Sequence, residues 1–253
     1  MDPAPALLAP LLDAPGAAAL LVDFDGTLSP IVTDNGAARP LPGAAEVLLA
    51  LRARFAEVAV VSGRPVAYLA RHLPPEIDLS GLYGLEQRRG GVSAEHPGTA
   101  GWRAHVDDLA ASAREELPDG VEVEHKGLSL TLHLRRHPEL ADVARRWAED
   151  AVATAGFALR TAKASFELHP PVAVDKGTVV DDLVAGCTAA CYVGDDLGDL
   201  EAFDGLDRLA ARGGAAVRVV VVTDETPPEL LARADLTVDG PEGALALLRA
   251  LTT

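Results

Sequence analysis

The chain has 253 residues, of which about half are apolar and a quarter charged, and its formal net charge is -16. This length is enough to bury a substantial core, as one large domain or as one domain with a smaller one added. The acidic balance argues against non-specific binding to nucleic acid or to an anionic membrane. An anionic substrate would therefore need local positive charge and a metal ion at its site.

The sequence contains no feature of a membrane or secreted protein. No apolar run reaches the ~18 residues that a membrane-spanning helix needs. The first positive side chain is Arg39, so the basic segment of a secretory signal is missing. We therefore expect a cytoplasmic protein. Cys187 and Cys191 predict a buried structural pair, because no further Cys or nearby His completes a zinc set.

The first predicted core element follows a Pro/Ala/Leu-rich stretch (1–17), which we expect to form an arm or a short helix over the core. Residues 19–22 are apolar at every position, as in a parallel strand that is covered on both faces. Asp23 and Asp25 come next, and while the backbone stays extended both carboxylates point to the same side. Taken alone, this pattern is also compatible with a solvated acidic turn. The end of a parallel strand is, however, where α/β sheets place their chemistry.

Two such carboxylates can divide the hydrolysis of a phosphate ester between them. One attacks phosphorus and forms an aspartyl-phosphate, and the other protonates the leaving alkoxide and then activates water. The segment D-F-D-G-T-L (23–28) resembles the first motif of the haloacid-dehalogenase superfamily of phosphatases. That resemblance implies Asp23 as the nucleophile and Asp25 as the acid/base, with the Asp25 carbonyl on a Mg²⁺ ion.

A second buried strand is predicted at 57–61, after a loop (30–43) and a helix (43–55). It ends in Ser62-Gly63-Arg64, where glycine lets the backbone approach a ligand and Ser62 offers a hydroxyl and an N–H to a phosphate oxygen. V-V-S-G-R-P resembles the second motif of the same superfamily. We therefore predict that Ser62 takes part in catalysis and that Gly63 and Arg64 bind the substrate.

The middle of the chain has a distinct order of predicted helices and strands. A helix and two short strands around 81–91 lead into a block with the order α-β-β-α-β-β. Its expected helices lie near 99–117 and 138–155, and its strands near 121–126, 128–134, 157–161 and 164–169. This pattern predicts an α+β cap domain (98–170) inserted into a catalytic core made of 1–97 and 171–253, with Pro/Gly-bearing linkers.

The core resumes with D-K-G, where Lys176 begins a predicted helix. A positive charge opposes the helix dipole there, unless it faces a phosphate and carboxylates. A third core strand (189–193) ends at Asp195, Asp196 and Asp199, which alone could be a helix cap and which with Asp23 and Asp25 predict a Mg²⁺ site. Strands near 216–222 and 235–238 and a helix from 241 complete an α/β fold with a Rossmann-like parallel sheet.

Three further segments resemble trehalose-6-phosphate phosphatases, and the resemblance extends from about Leu20 to Asp239. They are Y-G-L-E (83–86), V-E-H-K-G-L-S-L-T-L-H-L-R (123–135) and F-E-L-H-P (166–170). The resemblance implies a Mg²⁺-dependent hydrolase of trehalose 6-phosphate that serves trehalose biosynthesis. It also implies that the catalytic residues are Asp23, Asp25, Ser62 and Lys176, and that the metal ligands are Asp23, Asp25, Asp195 and Asp196. The cap residues that it implies for sugar binding are Glu124, Lys126, Arg135 and Glu167.

Several alternatives remain open at this point. The cap residues could form an ion network on an exposed sheet face. The substrate could be another sugar phosphate, of the sucrose-phosphate or mannosyl-phosphoglycerate type, and a non-catalytic sugar-phosphate sensor is a third hypothesis. Coupling to a trehalose-6-phosphate synthase is a further hypothesis about partners. The chain departs from the family pattern at Leu134, Gly198 and Leu200.

Overall fold

The computed structural model describes residues 4–32, 34–162 and 164–253. They form two compact units. The first, here called the core unit, contains the described residues up to Ala94 and those from Val174 onward, and the second, the inserted unit, is Glu95–Ala173. Residues 1–3, at the start of the predicted N-terminal arm, lie outside the described residues.

The elements are numbered along the chain. The strands are β1 (Ala18–Val22), β2 (Glu57–Val61), β3 (Asp78–Gly81), β4 (Glu86–Arg89), β5 (Val92–Glu95), β6 (Glu122–His125), β7 (Leu130–His133), β8 (Ala158–Ala162), β9 (Ser165–His169), β10 (Ala189–Gly194), β11 (Ala215–Val222) and β12 (Leu236–Asp239). The α-helices are α1 (Ala4–Asp13), α2 (Ala44–Arg52), α3 (Val66–Leu69), α4 (Trp102–Glu116), α5 (Ala141–Ala155), α6 (Lys176–Leu183), α7 (Asp199–Ala211), α8 (Pro228–Leu231) and α9 (Gly240–Ala250).

In the described part of the core unit, eight strands form one sheet in the order β12-β11-β10-β1-β2-β3-β4-β5. From β12 to β3 the neighbours are parallel, and β4 is antiparallel to β3. Strand β1 lies between β10 and β2 and is buried at every position. Because parallel strands end at the same edge, the residues that follow β1, β2 and β10 are brought together.

Both faces of this sheet are covered, which explains the uninterrupted apolar sequence of β1. Leu20 and Val22 point to the face covered by α1, α2 and α9. Leu21 points to the opposite face, where it belongs to the apolar cluster that includes Val180 of α6 and Phe203 of α7. The predicted α/β fold class is confirmed.

A few local expectations need revision. Two short strands were predicted around 81–91, whereas the described chain has three between residues 78 and 95, namely β3, β4 and β5. The third arises because Gly90 and Gly91, both with left-handed φ values, turn the chain back after β4. The predicted buried cysteine pair is half right: Cys191 is buried, whereas Cys187 is only half-buried, and both are free thiols. The predicted N-terminal helix is present as α1, whose Leu11 lies in the core.

The inserted unit has the predicted α-β-β-α-β-β order. Its described strands form an antiparallel sheet in the order β6-β7-β9-β8. One face packs on α4 and α5 through apolar side chains that include Leu130, Leu132 and Phe166. The alternate residues of β7 and β9 therefore lie on the other face, and this face carries the polar side chains of the cap segments. Within the described ranges, no helix is long and apolar enough to cross a bilayer.

Candidate active site

The first candidate side chain, Asp23, follows β1 directly and is held in register with the next strand of the sheet. Its N–H donates to the carbonyl of Val193 in β10 at 2.9 Å, which extends the parallel pairing by one residue. The Asp23 side chain is 6% exposed. The strand end thus presents a carboxylate from a fixed backbone position, with little water around it.

Lys176, the first residue of α6, contacts Asp23 as the predicted grouping requires. Its Nζ donates to Asp23 Oδ1 and to Asp199 Oδ1, both at 2.7 Å, and the Lys176 side chain is only 3% exposed. Burial alone would lower the pKa of this lysine, but Asp199 and Asp23 outweigh that effect and hold its pKa well above the ordinary value. Lys176 is therefore a permanent positive charge beside the candidate nucleophile.

Asp199 fixes the loop between β10 and α7. Its Oδ1 accepts from Lys176 and also from the hydroxyl of Tyr192 at 2.7 Å. Its Oδ2 accepts from the backbone N–H groups of Asp195 at 2.9 Å and Asp196 at 3.1 Å. With both oxygens engaged by protein donors, Asp199 holds the positions of the loop and of Lys176. The sequence placed Asp199 in the acidic cluster, but only the folded chain shows which partners it has.

Among the described residues, one carboxylate oxygen each of Asp23, Asp195 and Asp199 lie within 4.8 Å of one another. All three residues are buried. Burial, together with the nearby negative charges, raises the pKa of Asp195 to about 10 and that of Asp23 well above its ordinary value. The single positive charge of Lys176 does not balance three carboxylates, and hard divalent cations prefer such oxygen ligands. The residues present therefore fit a divalent metal ion.

Gly26 allows Asp195 to come this close to the turn after β1. Gly26 has a left-handed φ of 76°, and a Cβ at this position would lie 2.0 Å from Asp195 Oδ2. Thr27, which is fully buried, donates its hydroxyl to Asp195 Oδ1 at 3.3 Å. The D-G-T sequence thus provides both the space for Asp195 and a hydrogen bond to it.

Asp25 faces a different partner from Asp23. Its carboxylate forms a bidentate ion pair with Arg64, with Nε to Oδ2 and a terminal nitrogen to Oδ1 both at 2.7 Å. The Asp25 side chain is 39% exposed. The Arg64 guanidinium also lies over the ring of Tyr68, 4.5 Å from its centroid. Two residues that the sequence assigned to separate roles, acid/base and substrate binding, are in direct contact.

Ser62 follows β2 and is almost completely buried. Its N–H donates to the carbonyl of Ser80 in β3 at 2.9 Å, so the expectation that this N–H is offered to a phosphate was wrong: the sheet uses it. The hydroxyl accepts from the N–H of Arg64 at 3.1 Å and has a hydrogen of its own to donate. The hydroxyl is the group through which Ser62 can bind a ligand.

Tyr83 is a residue that sequence reasoning did not place in the site. It and Leu82 both have positive φ values, 57° and 50°, in the left-handed region that non-glycine residues rarely occupy. The Tyr83 ring lies against Gly63, where a Cβ would come within 2.7 Å of it, and its centroid is 6.0 Å from Lys176 Nζ. The requirement for glycine in S-G-R therefore comes from this ring. The Y-G-L-E segment, which contains Tyr83, was the sequence feature from which a place for this residue in the site could have been predicted.

The polar face of the inserted unit gathers most of the predicted cap residues. Lys126 Nζ lies 3.6 Å from Glu167 Oε2 and 4.0 Å from Glu124 Oε2. Two residues outside the predicted set extend this group: His133 Nε2 is 2.7 Å from Glu124 Oε2, and Ser129 Oγ donates to Glu167 Oε1 at 2.7 Å. Arg135, the remaining predicted cap residue, is exposed and follows the end of β7.

Comparison with known proteins identifies the family. The family model described as trehalose-phosphatase matches residues 21–238, which covers most of both units. The chain belongs to the trehalose-phosphatase family.

Individual members of the family are moderately similar to the chain. It is 35% identical over 224 residues to the trehalose-phosphate phosphatase of Mycobacterium avium, covering 81% of this chain and 54% of the relative. It is 37% identical over 203 residues to the corresponding protein of Mycobacterium bovis, covering 74% of this chain and 50% of that relative. The chain thus spans about half the length of the curated relatives it matches.

Among solved structures, the C-terminal domain of the trehalose-6-phosphate phosphatase of C. albicans superposes with a TM-score of 0.79 at 25% identity. The superposition covers 98% of this chain and 96% of that domain. The trehalose-phosphatase fold therefore extends over essentially the whole chain.

Gly198 and Leu200, where the chain departs from the family pattern, flank Asp199. The N–H of Gly198 donates to Asp196 Oδ1 at 2.9 Å, and a Cβ at Gly198 would lie 3.2 Å from that oxygen. Leu200 packs on the apolar cluster between the sheet and α6 and α7. Since Asp199 keeps its hydrogen bonds to the loop, the chain retains its acidic group despite both departures.

Proposed function

We propose that the chain is a Mg²⁺-dependent phosphatase that hydrolyses trehalose 6-phosphate through an aspartyl-phosphate on Asp23. The observation that carries the proposal is the contact of Asp23 with Lys176 at 2.7 Å beside the buried carboxylate of Asp195. Such a pairing gives a nucleophile with a fixed cation next to it. Family membership supports the same reaction.

The chemistry divides into two displacements. In the first, a carboxylate oxygen of Asp23 attacks phosphorus, the bond from phosphorus to the sugar oxygen breaks, and Asp25 gives that oxygen a proton. In the second, Asp25 takes a proton from water while the water oxygen attacks phosphorus, which releases inorganic phosphate and restores Asp23. In the structure Arg64 binds the Asp25 carboxylate, so Asp25 has to separate from Arg64 before it can transfer a proton.

Charge is the main obstacle to the first displacement. Each pair of like unit charges at ~4 Å costs roughly 4 kcal/mol at an effective dielectric of ~20. Lys176 supplies a fixed positive charge, and the Ser62 hydroxyl supplies a donor to the phosphoryl oxygens. We assign Mg²⁺ to the carboxylates of Asp23 and Asp195 and the carbonyl of Asp25, with Asp196 outside this set; the bound ion would supply the remaining neutralising charge.

Removal of the metal gives a direct test of the metal assignment. We expect purified protein to release phosphate from trehalose 6-phosphate in the presence of Mg²⁺, to lose this activity with excess EDTA, and to regain it when Mg²⁺ is added beyond the chelator. Phosphate release is measured against time in each condition. Full activity in EDTA, after dialysis to remove carried-over metal, would contradict the assignment.

The sugar is assigned to the polar face of the inserted unit. Carboxylates accept hydrogen bonds from sugar hydroxyls, and the ammonium of Lys126 donates to others. Glu167 is only 6% exposed, and its two oxygens face Ser129 and Lys126, which fixes its orientation. Because its carboxylate is held in one orientation, Glu167 is suited to accept a hydrogen bond from a sugar hydroxyl that lies in one particular position.

Glu167→Gln tests this assignment because it removes the charge and keeps the shape. We expect kcat/KM for trehalose 6-phosphate to fall by about 5- to 150-fold, the cost of a polar partner left unpaired. Activity on p-nitrophenyl phosphate, which has no sugar hydroxyls, should stay within about twofold of the unmodified protein. The matched control is Glu149→Gln, the same chemical change at an exposed position of α5. Equal losses on both substrates would show that Glu167 supports the fold or the core chemistry instead.

A further inference from the structure

Thr131 lies at the centre of the polar face of the inserted unit. It is in β7, an interior strand of the sheet, directly opposite Glu124 of β6 on one side and Glu167 of β9 on the other. Arg160 of β8 completes the row, opposite Glu167. Side chains directly opposite each other on neighbouring strands lie side by side. Thr131 is therefore placed between the two carboxylates assigned above to sugar binding.

The hydroxyl of Thr131 is buried and has no hydrogen-bond partner in the part of the chain that the structure describes. Thr131 is 2% exposed, and its Oγ1 has no partner among the described residues. Ser129, two positions earlier on the same face, behaves differently, because its hydroxyl donates to Glu167. Buried hydroxyls are nearly always hydrogen-bonded, since the loss of water is otherwise uncompensated. The isolated hydroxyl of Thr131 thus requires an explanation that packing does not give.

Valine would be the better residue if this position served only to fill space. It has the same shape as threonine, it favours strands at least as well, and it has no hydroxyl to desolvate. A threonine hydroxyl, in contrast, can both donate and accept. The carboxylates of Glu124 and Glu167 can only accept, and the ammonium of Lys126 lies within 4.0 Å of both. A polyol bound there has several oxygen atoms and can use a second donor beside Lys126. Thr131 supplies a donor at this point of the row.

We propose that Thr131 is a specificity-determining residue, whose hydroxyl binds a hydroxyl of the sugar part of the substrate between Glu124 and Glu167. This inference rests on the proposed function and adds a named contact to it. It also gives a reason for the buried hydroxyl: its cost in the free protein is recovered when a sugar binds. An ester without sugar hydroxyls cannot make the contact.

The test compares Thr131→Val, which removes the hydroxyl and keeps the shape, with Thr131→Ser, which keeps the hydroxyl. We expect Thr131→Val to lower kcat/KM for trehalose 6-phosphate by about 5- to 20-fold, while Thr131→Ser stays within about threefold of the unmodified protein. Both should leave kcat/KM for p-nitrophenyl phosphate unchanged. The Tm of Thr131→Val should equal or exceed that of the unmodified protein, because the variant no longer buries an unpaired hydroxyl. Thr161→Val, at an exposed position of β8, is the matched control.

Each outcome bears on a distinct claim. If the unmodified protein hydrolyses trehalose 6-phosphate and Thr131→Val matches it, or loses equally on both substrates, the inference about Thr131 is wrong and the proposed function stands. If the unmodified protein cleaves p-nitrophenyl phosphate but not trehalose 6-phosphate, the proposed function fails and the sugar contact fails with it. Should Thr131→Val not fold, Thr131→Ala against Thr131→Ser repeats the comparison, and equal activity of those two variants would overturn the inference.

Discussion

Replacement of Asp23 by Asn should abolish phosphate release from trehalose 6-phosphate, with a loss of about 1,000-fold or more in kcat. The amide cannot attack phosphorus as a carboxylate does, and neither Asp195 nor Asp199 can take over the attack. Asp199 has both oxygens engaged by Lys176, Tyr192 and the backbone of the loop. Asp195 lies beside Asp23, but its carboxylate accepts from Thr27 and is the one that we assign to the metal ion.

The same substitution should leave the fold intact, since the amide has the shape of the carboxylate and can still accept from Lys176, and since Lys176 keeps its buried ion pair with Asp199. We expect the Tm to stay within about 4 °C of that of the unmodified protein, which corresponds to about 1 kcal/mol for a chain of this length. Asp119→Asn, at an exposed loop position, serves as the control. A folded Asp23→Asn protein that keeps more than a few per cent of the activity would remove Asp23 from the role of nucleophile.

Lys176→Met is the second substitution for which a large effect is expected, and it should lower kcat/KM on both substrates by about 100-fold or more. Trehalose 6-phosphate and p-nitrophenyl phosphate present the same phosphoryl group, and Lys176 is the fixed cation beside Asp23, the proposed nucleophile. The near-equality of the two losses distinguishes this variant from Glu167→Gln. That comparison separates recognition of the phosphate from recognition of the sugar.

Lys176→Met should also destabilise the protein, because Asp23 and Asp199 would remain buried without their cation. Removal of one partner of a buried ion pair costs about 3–5 kcal/mol, which corresponds to a decrease in Tm of roughly 6–20 °C. Activity is therefore compared at a temperature below the Tm of both proteins, as measured by circular dichroism. Retention of more than about a tenth of the activity on either substrate by the folded variant would contradict the assignment, since a missing transition-state contact costs more than that.

The sequence predicted the positions of the core elements well where the pattern was strong. Strand β1 is apolar at each position and is buried at each position. Parallel strands end at one edge, so the order of the motifs along the chain was enough to expect Asp23, Lys176 and Asp195 near each other. In the structure Lys176 contacts Asp23, and Asp195 lies in the same acidic group.

The sequence did not predict which side chains contact each other in the site. The two-residue spacing of Asp23 and Asp25 predicted carboxylates on one side, yet the structure pairs one with Lys176 and the other with Arg64. The chain turns after Asp23, so the alternation of an extended strand no longer applies. Likewise, the central place of Thr131 follows from the registers of β6, β7 and β9, which sequence periodicity does not specify. Periodicity indicates on which face of a strand a residue lies, whereas the pairing of the strands determines which residues of the neighbouring strands lie beside it.

The most direct test of the central claim is a panel of sugar phosphates assayed side by side for phosphate release with Mg²⁺ present. The panel contains trehalose 6-phosphate, sucrose 6-phosphate, mannosyl-phosphoglycerate and glucose 6-phosphate. We predict that kcat/KM for trehalose 6-phosphate exceeds each of the others by about 100-fold or more, because a site built to bind sugar hydroxyls rejects a substrate that leaves its polar groups unpaired. A higher kcat/KM for another member of the panel, or the absence of phosphate release from trehalose 6-phosphate, would contradict the account.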